Sequence, residues 1–115
     1  MPDRPWRDVL AELDKFDPHE PGTGLPLDLG IRRYVLILRA EGIETYESCQ
    51  GGEGHCYPEP TVRFSGTHSD GFRAFAVAMT YGLPVRALRR CYTVWNGFLE
   101  GPHWELTFTK LDGAP

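Results

Sequence analysis

Apolar positions recur at helical spacing in three stretches of the chain and at strand spacing in four. In residues 4 to 16, Trp6, Val9, Leu10, Leu13 and Phe16 fall on one helical face. Asp3 is placed to cap that helix, and Pro5 suits its first turn. Its other face, Arg7, Asp8, Glu12 and Lys15, is mixed in sign. That favours a covering helix over one lying on a membrane, where Lys and Arg dominate. Residues 17 to 27 are rich in Pro and Gly and read as a linker or ordered loop. A second helix, capped by Asp28, runs to about Glu41. Ile31, Tyr34, Val35 and Leu38 face inward, Leu36 and Ile37 widen the stripe, and Gly42 stops the helix. Thr67-His68-Ser69-Asp70 reads as a capping box with Asp in place of Glu. It opens a third helix to about Tyr81 with an inward stripe of Phe72, Phe75, Ala76 and Met79. Ala74, Ala76 and Ala78 allow close approach to a sheet, and Gly82 and Pro84 end the helix.

The strand runs are 43–49, 61–64, 85–95 and 103–109. Trp104, Leu106 and Phe108 alternate with His103, Glu105, Thr107 and Thr109. Neither parity of 85–95 is clean, which predicts a bulge. Asn96-Gly97 and Gly101-Pro102 are expected to bracket a hairpin loop. Short connections between strands favour antiparallel pairing. The expected fold is therefore α+β, a two-layer sandwich in αββ-αββ order. It has a four-stranded, mainly antiparallel sheet, two helices on one face, and an additional N-terminal helix. Residues 1–26 hold that helix and the linker, and residues 27–115 form the core domain of a single globular unit. Val62, Phe64, Trp104, Leu106 and Phe108 should point into the helical layer, and Arg63 and Glu105 to the opposite, open face.

At 115 residues one domain can bury about two-thirds of its unfolded surface, enough to fold without a disulfide or metal. A net charge of −4 argues against nucleic acid as a partner, since binding it needs a basic footprint. No apolar run is long enough to span a membrane. The first residues lack the basic and apolar regions of a signal peptide, so the expectation is a cytoplasmic protein. Three Cys, an odd number, do not make a pure disulfide framework.

Reactive side chains concentrate in residues 43 to 66. Cys49, His55 and Cys56 are the candidate metal ligands, with a fourth to come from His68, Cys91 or His103. Their spacing lacks the usual close Cys pair of a zinc site, so the expectation is that no metal or other cofactor is bound. Cys49 at a strand end, with His55 in reach and Glu47 to orient it, also has the residue types of a thiol nucleophile and its base. A carboxylate so near would nevertheless raise the thiol pKa. Gly51, Gly52 and Gly54 read as a turn that permits positive φ; no Lys or helix follows, so this is not a phosphate loop. Tyr46, Tyr57, Tyr92 and Trp95 with Arg86, Arg89 and Arg90 suggest base stacking. Ordinary packing and a charged edge strand account for the same residues.

The run Gly42-Ile43-Glu44-Thr45-Tyr46-Glu47-Ser48-Cys49-Gln50-Gly51-Gly52, then Gly54-His55, Pro58-Glu59-Pro60 and Val62-Arg63-Phe64, resembles a set of small uncharacterised proteins of bacterial chromosomes, prophages and other mobile elements. The resemblance continues through Tyr81-Gly82-Leu83-Pro84-Val85 and Trp104-Glu105-Leu106-Thr107-Phe108. It implies a phage or mobile-element origin and no particular activity. The residues themselves point to a binding or accessory domain that takes a small molecule or a protein partner through the 47–60 loop and the adjacent sheet face. Glu47, Cys49, Gln50, Gly51, His55, Arg63 and Glu105 would make the contacts. The rival reading is a small hydrolase or transferase acting through Cys49, His55 and Glu47.

Overall fold

The computed structural model describes residues 27–55 and 57–113. The expected helix over 4–16, the linker after it and Cys56 lie outside the described residues. The elements are α1 (Leu29–Ala40), β1 (Glu44–Cys49), β2 (Thr61–Ser65), α2 (His68–Thr80), β3 (Val85–Trp95) and β4 (Phe98–Phe108). The strands form one antiparallel sheet in the order β1-β2-β4-β3. This is the expected α+β arrangement in αββ-αββ order.

The alternation of β2 and β4 explains why they are central. Val62, Phe64, Trp104, Leu106 and Phe108 all lie on one face and are almost completely buried. Both helices cover that face. The Tyr34 ring of α1 lies 4.6 Å from the Phe108 ring, and the Trp104 indole lies against Gly71 of α2. α1 buries the whole predicted stripe, from Ile31 through Tyr34, Val35, Leu36, Ile37 and Leu38. It ends at Gly42, where φ is +82°. Arg73 of α2 ties the halves together by donating to the Glu41 and Gly42 carbonyls at 2.6 and 3.3 Å. These are carbonyls the end of a helix leaves without an intrahelical partner.

Four expectations need correction. The inward face of α2 is Gly71, Ala74, Val77 and Ala78, whereas Phe72, Phe75 and Met79 are exposed. The reason is the bulk of Trp104: a Cβ at position 71 would come within 2.3 Å of its ring. The sheet supplies the large residue, so the helix must supply the small face. Second, Asp28 stands at the N-cap of α1, but its side chain makes no capping hydrogen bond. Third, the second hairpin turns at Asn96-Gly97 alone, with φ of +49° and +80°, the two-residue turn this dipeptide favours. β4 starts at Phe98 and runs through Gly101-Pro102, whose peptide bond is cis. Fourth, β3 is an edge strand with two register shifts, at Val85/Ala87 and Cys91/Thr93, where one bulge was expected. The second shift lies opposite Pro102, which has no N–H to give to a ladder.

The capping box of α2 forms as expected. The Thr67 amide donates to Asp70 Oδ2 at 2.8 Å. Among the described residues no helix is long and apolar enough to cross a membrane.

Candidate functional site

The loop after β1 returns to the start of α1. A 12-residue helix and a six-residue strand have nearly equal lengths, about 18 and 20 Å. Cys49 and Gln50 therefore arrive beside Asp28. There the loop and helix exchange hydrogen bonds. The Gln50 amide donates to Asp28 Oδ2 at 3.1 Å, and the Gly30 amide donates to Gln50 Oε1 at 3.2 Å. Gln50 thus caps the helix in place of Asp28, and the absence of a Cβ at Gly30 lets it approach. The Gly51 amide points to Cys49 Sγ at 3.4 Å. Gly51 is required on two counts: its φ is +81°, and a Cβ would lie 2.4 Å from the Glu59 carbonyl carbon. The Gly52 amide donates to the Pro58 carbonyl and the His55 amide to the Gly52 carbonyl, closing the loop and fixing where His55 leaves it. His55 Nδ1 is 3.8 Å from Asp28 Oδ2. One ligand atom each from Asp28, Cys49 and His55 lies within 4.8 Å of the other two.

The open face carries a row of charges across the sheet. Register places Glu47 opposite Arg63 and Arg63 opposite Glu105, with Arg89 next on β3. Arg63 Nε is 3.2 Å from Glu105 Oε2 and 3.9 Å from Glu47 Oε1. Arg89 reaches Glu105 at 3.7 Å. Tyr57, from the loop, covers the row: its hydroxyl donates to Glu47, and the Arg63 guanidinium lies 5.1 Å from its ring centroid. Burial raises the Tyr57 pKa, and the Glu47 carboxylate adds to the shift, so the phenol stays protonated and donating. Glu105 is only 8% exposed. Its two arginines offset the cost of taking a carboxylate out of water.

Beyond Arg63 the same face opens into a cleft of about 400 Å³ lined by Tyr46, Arg63, Ser65, Thr93, Glu100, Pro102 and His103. A bulge on each hairpin borders it: Tyr46 is the residue skipped between Thr45 and Glu47, and Thr93 follows the shift on β3. Bulges re-aim side chains and concentrate next to functional sites. The Tyr46 and His103 rings lie 6.1 Å apart. The Tyr46 hydroxyl and His103 Nε2 are buried without a well-formed hydrogen bond among the described residues, with Arg63 near enough to the Tyr46 hydroxyl for a weak one. Burial raises the Tyr46 pKa against the opposing pull of Arg63. Burial likewise raises the thiol of Cys91, which faces the His103 carbonyl at 3.6 Å.

Glu47, Arg63 and Glu105 therefore meet as the strand alternation predicts, but the residue over them is Tyr57 and not His55. Cys49 and His55 also meet, and the carboxylate beside His55 is Asp28 and not Glu47. Gln50 and Gly51 hold the loop. Of the proposed fourth ligands, His68 packs against Phe72 and Trp104, and Cys91 and His103 are paired on the sheet face. None of the three joins the Asp28 cluster. Sequence reasoning missed Asp28 as a site residue, because it reads as an ordinary cap, and offered Tyr46 only for base stacking, because alternation does not reveal a bulge in so short a strand. The matched lengths of α1 and β1 were the available signal for Asp28. Comparison of the chain with protein-family models, with curated proteins and with solved structures finds no match in any of the three.

Proposed function

We propose that the protein is a binding domain that takes a small polar ligand into the cleft on its open sheet face, beside the 47–60 loop. One observation carries this reading. Tyr46 and His103, whose hydroxyl and Nε2 are buried without a well-formed hydrogen bond among the described residues, line the same cleft as Arg63. A buried polar group left unsatisfied costs about 1–3 kcal/mol, and folded proteins keep few of them. A ligand toward which the two rings turn, and which hydrogen-bonds both groups, recovers part of that energy.

The charges around the cleft restrict the ligand class. Glu47, Glu100 and Glu105 outweigh Arg63 and Arg89, so a polyanion such as a nucleotide phosphate is disfavoured. A neutral polar or zwitterionic molecule fits, its acidic group toward Arg63. This agrees with the net charge of −4.

The test is thermal unfolding of the full chain against a panel of amino acids, amides, nucleosides and phosphates, together with native mass spectrometry for copurified ligand. A neutral or zwitterionic compound should raise the melting temperature. At a hundredfold excess over its dissociation constant the stabilisation is about 2.7 kcal/mol. Tyr46→Phe and Arg63→Ala should abolish the shift. A panel in which only phosphates stabilise, or a shift that survives both substitutions, defeats the proposal.

A further inference from the structure

We propose that Asp28, Cys49 and His55 form a binding site for one borderline-soft divalent metal ion of the zinc class, with a coordination position left open. The site is separate from the cleft, since none of the three residues lines it. A carboxylate oxygen, a thiol sulfur and an imidazole nitrogen converge there, all within 4.8 Å of one another. At usual zinc bond lengths, tetrahedral ligands stand roughly 3.3–3.8 Å apart, so an ion would draw the three together by about 1 Å. The His55 side chain, one-third exposed, can make that adjustment by rotating about its own bonds.

Two features indicate a ligand at this point in addition to the convergence. The first is the behaviour of Asp28. A carboxylate at an N-cap ordinarily accepts a helix amide, a bond worth about 1 kcal/mol. Here that bond is absent, Gln50 caps the helix instead, and Asp28 Oδ2 lies 3.8 Å from His55 Nδ1. The second is the support behind the donor atoms. Asp28 Oδ2 receives the Gln50 amide and Cys49 Sγ faces the Gly51 amide. Backbone donors of this kind orient metal ligands.

A catalytic triad would use both imidazole nitrogens, one toward the thiol and one toward the carboxylate. An ion site needs only one donor atom from each residue near the other two, and that condition is met here. A divalent cation would compensate the carboxylate and thiolate charges together. Binding releases the thiol proton, so affinity should rise with pH up to the thiol pKa.

The full chain, reduced and stripped with chelator, is titrated with Co²⁺ and then with Zn²⁺. The expected result is one equivalent of cobalt with a thiolate-to-cobalt charge-transfer band in the near ultraviolet, displaced by zinc. Cys49→Ser should remove the band, and Asp28→Asn or His55→Ala should weaken binding at least tenfold. Gln50→Ala keeps the backbone amide that supports Asp28 and should bind metal much as the wild type does. Zinc should protect Cys49 from alkylation, and Tyr46→Phe should bind metal as the wild type does, which keeps this test independent of the cleft. Should buried Cys49 not tolerate Ser, His55→Ala at its exposed position decides the matter. No band in excess cobalt, a band that survives Cys49→Ser, or unchanged affinity in His55→Ala overturns the proposal. Alkylation of Cys49 that is indifferent to zinc but slowed by His55→Ala also overturns it, in favour of a thiol nucleophile.

Discussion

α1 closes with the Ile43 amide on the Leu38 carbonyl and the Gly42 amide on the Arg39 carbonyl. α2 closes with the Leu83 amide on Ala78 and the Gly82 amide on Met79. Each strand then starts from a further matching bond, Thr45 to Ile43 in one half and Val85 to Leu83 in the other. Matched through these ends, the inward positions correspond as Ile31 to Gly71, Tyr34 to Ala74, Ile37 to Val77 and Leu38 to Ala78. The first helix fills its half of the core with its own bulk. The second presents small residues and lets Trp104 fill the space. The same backbone plan thus tolerates opposite divisions of volume between helix and sheet, provided the sum fills the layer.

The halves also divide their connections differently. β1 and β2 are joined by the long 50–60 loop, which is bound to α1 through Asp28 and Gln50 and brings His55 and Tyr57 to their positions. β3 and β4 are joined by Asn96-Gly97 alone, and the hairpin extends past the core with Val94, Trp95, Phe98 and Leu99 exposed. His55 and Tyr57 sit where a loop is held by the fold, and the apolar surface sits where the hairpin outruns it.

The largest test of the comparison is in the helices. Leu38→Ala removes a fully buried side chain from the half that relies on its helix for bulk. It should cost about 2–5 kcal/mol in denaturant unfolding. Ala78→Gly, at the matching position of α2, should cost only about 1 kcal/mol. Equal losses would mean that the two helices share the core evenly. The converse substitution is Gly71→Ala, which drives a methyl into Trp104 and should destabilise by about 1–3 kcal/mol. Its rescue by Trp104→Phe would show that ring and glycine are a matched pair.

The helix starts give a smaller contrast. α2 is capped from within by Thr67 and Asp70, and α1 by Gln50 from the far end of β1. Gln50→Ala should cost about 1 kcal/mol and loosen the 50–60 loop, visible as faster amide exchange at Gly30. The Asp70 carboxyl is held below its ordinary value of 3.8, chiefly by the Thr67 amide and then by the Thr67 hydroxyl, with a smaller contribution from Arg73. A depressed folded-state pKa contributes stability that is present above the unfolded value and is lost as pH falls through the folded one. Asp70→Asn should therefore flatten the acid limb of the stability profile below about pH 4 and leave Gly30 exchange unchanged.

Most of the fold was legible because period is a local property. Two clean alternations gave β2 and β4, and Gly42 and Gly82 marked the helix ends. The inward face of α2 was not legible, because a stripe of Phe72, Phe75 and Met79 has the same period as one of Gly71, Ala74 and Ala78. Only the size of Trp104 on another element decides between them. The site divided in the same way. Alternation placed Arg63 and Glu105 on one face, whereas the meeting of Asp28 with Cys49 and His55 depends on helix and strand lengths that no single window of sequence contains. The bulge that turns Tyr46 into the cleft depends on pairing between strands.

The smallest expected effect lies at the end of the second hairpin. Trp95 and Phe98 are 67% and 74% exposed and are paired directly across the turn. A cross-strand aromatic pair contributes only roughly 0.2–1 kcal/mol even where it packs well, and a turn set by Asn96-Gly97 does not depend on its neighbours. Trp95→Ser combined with Phe98→Ser should therefore change stability by no more than about 0.5 kcal/mol. The matched operation on the first connection, replacing Tyr57 by Ser, removes the hydroxyl held by Glu47 and the ring beside Arg63, and should cost more. If the hairpin substitutions prove the costlier of the two, then the hairpin end is packed and the division between a held loop and a free turn is wrong.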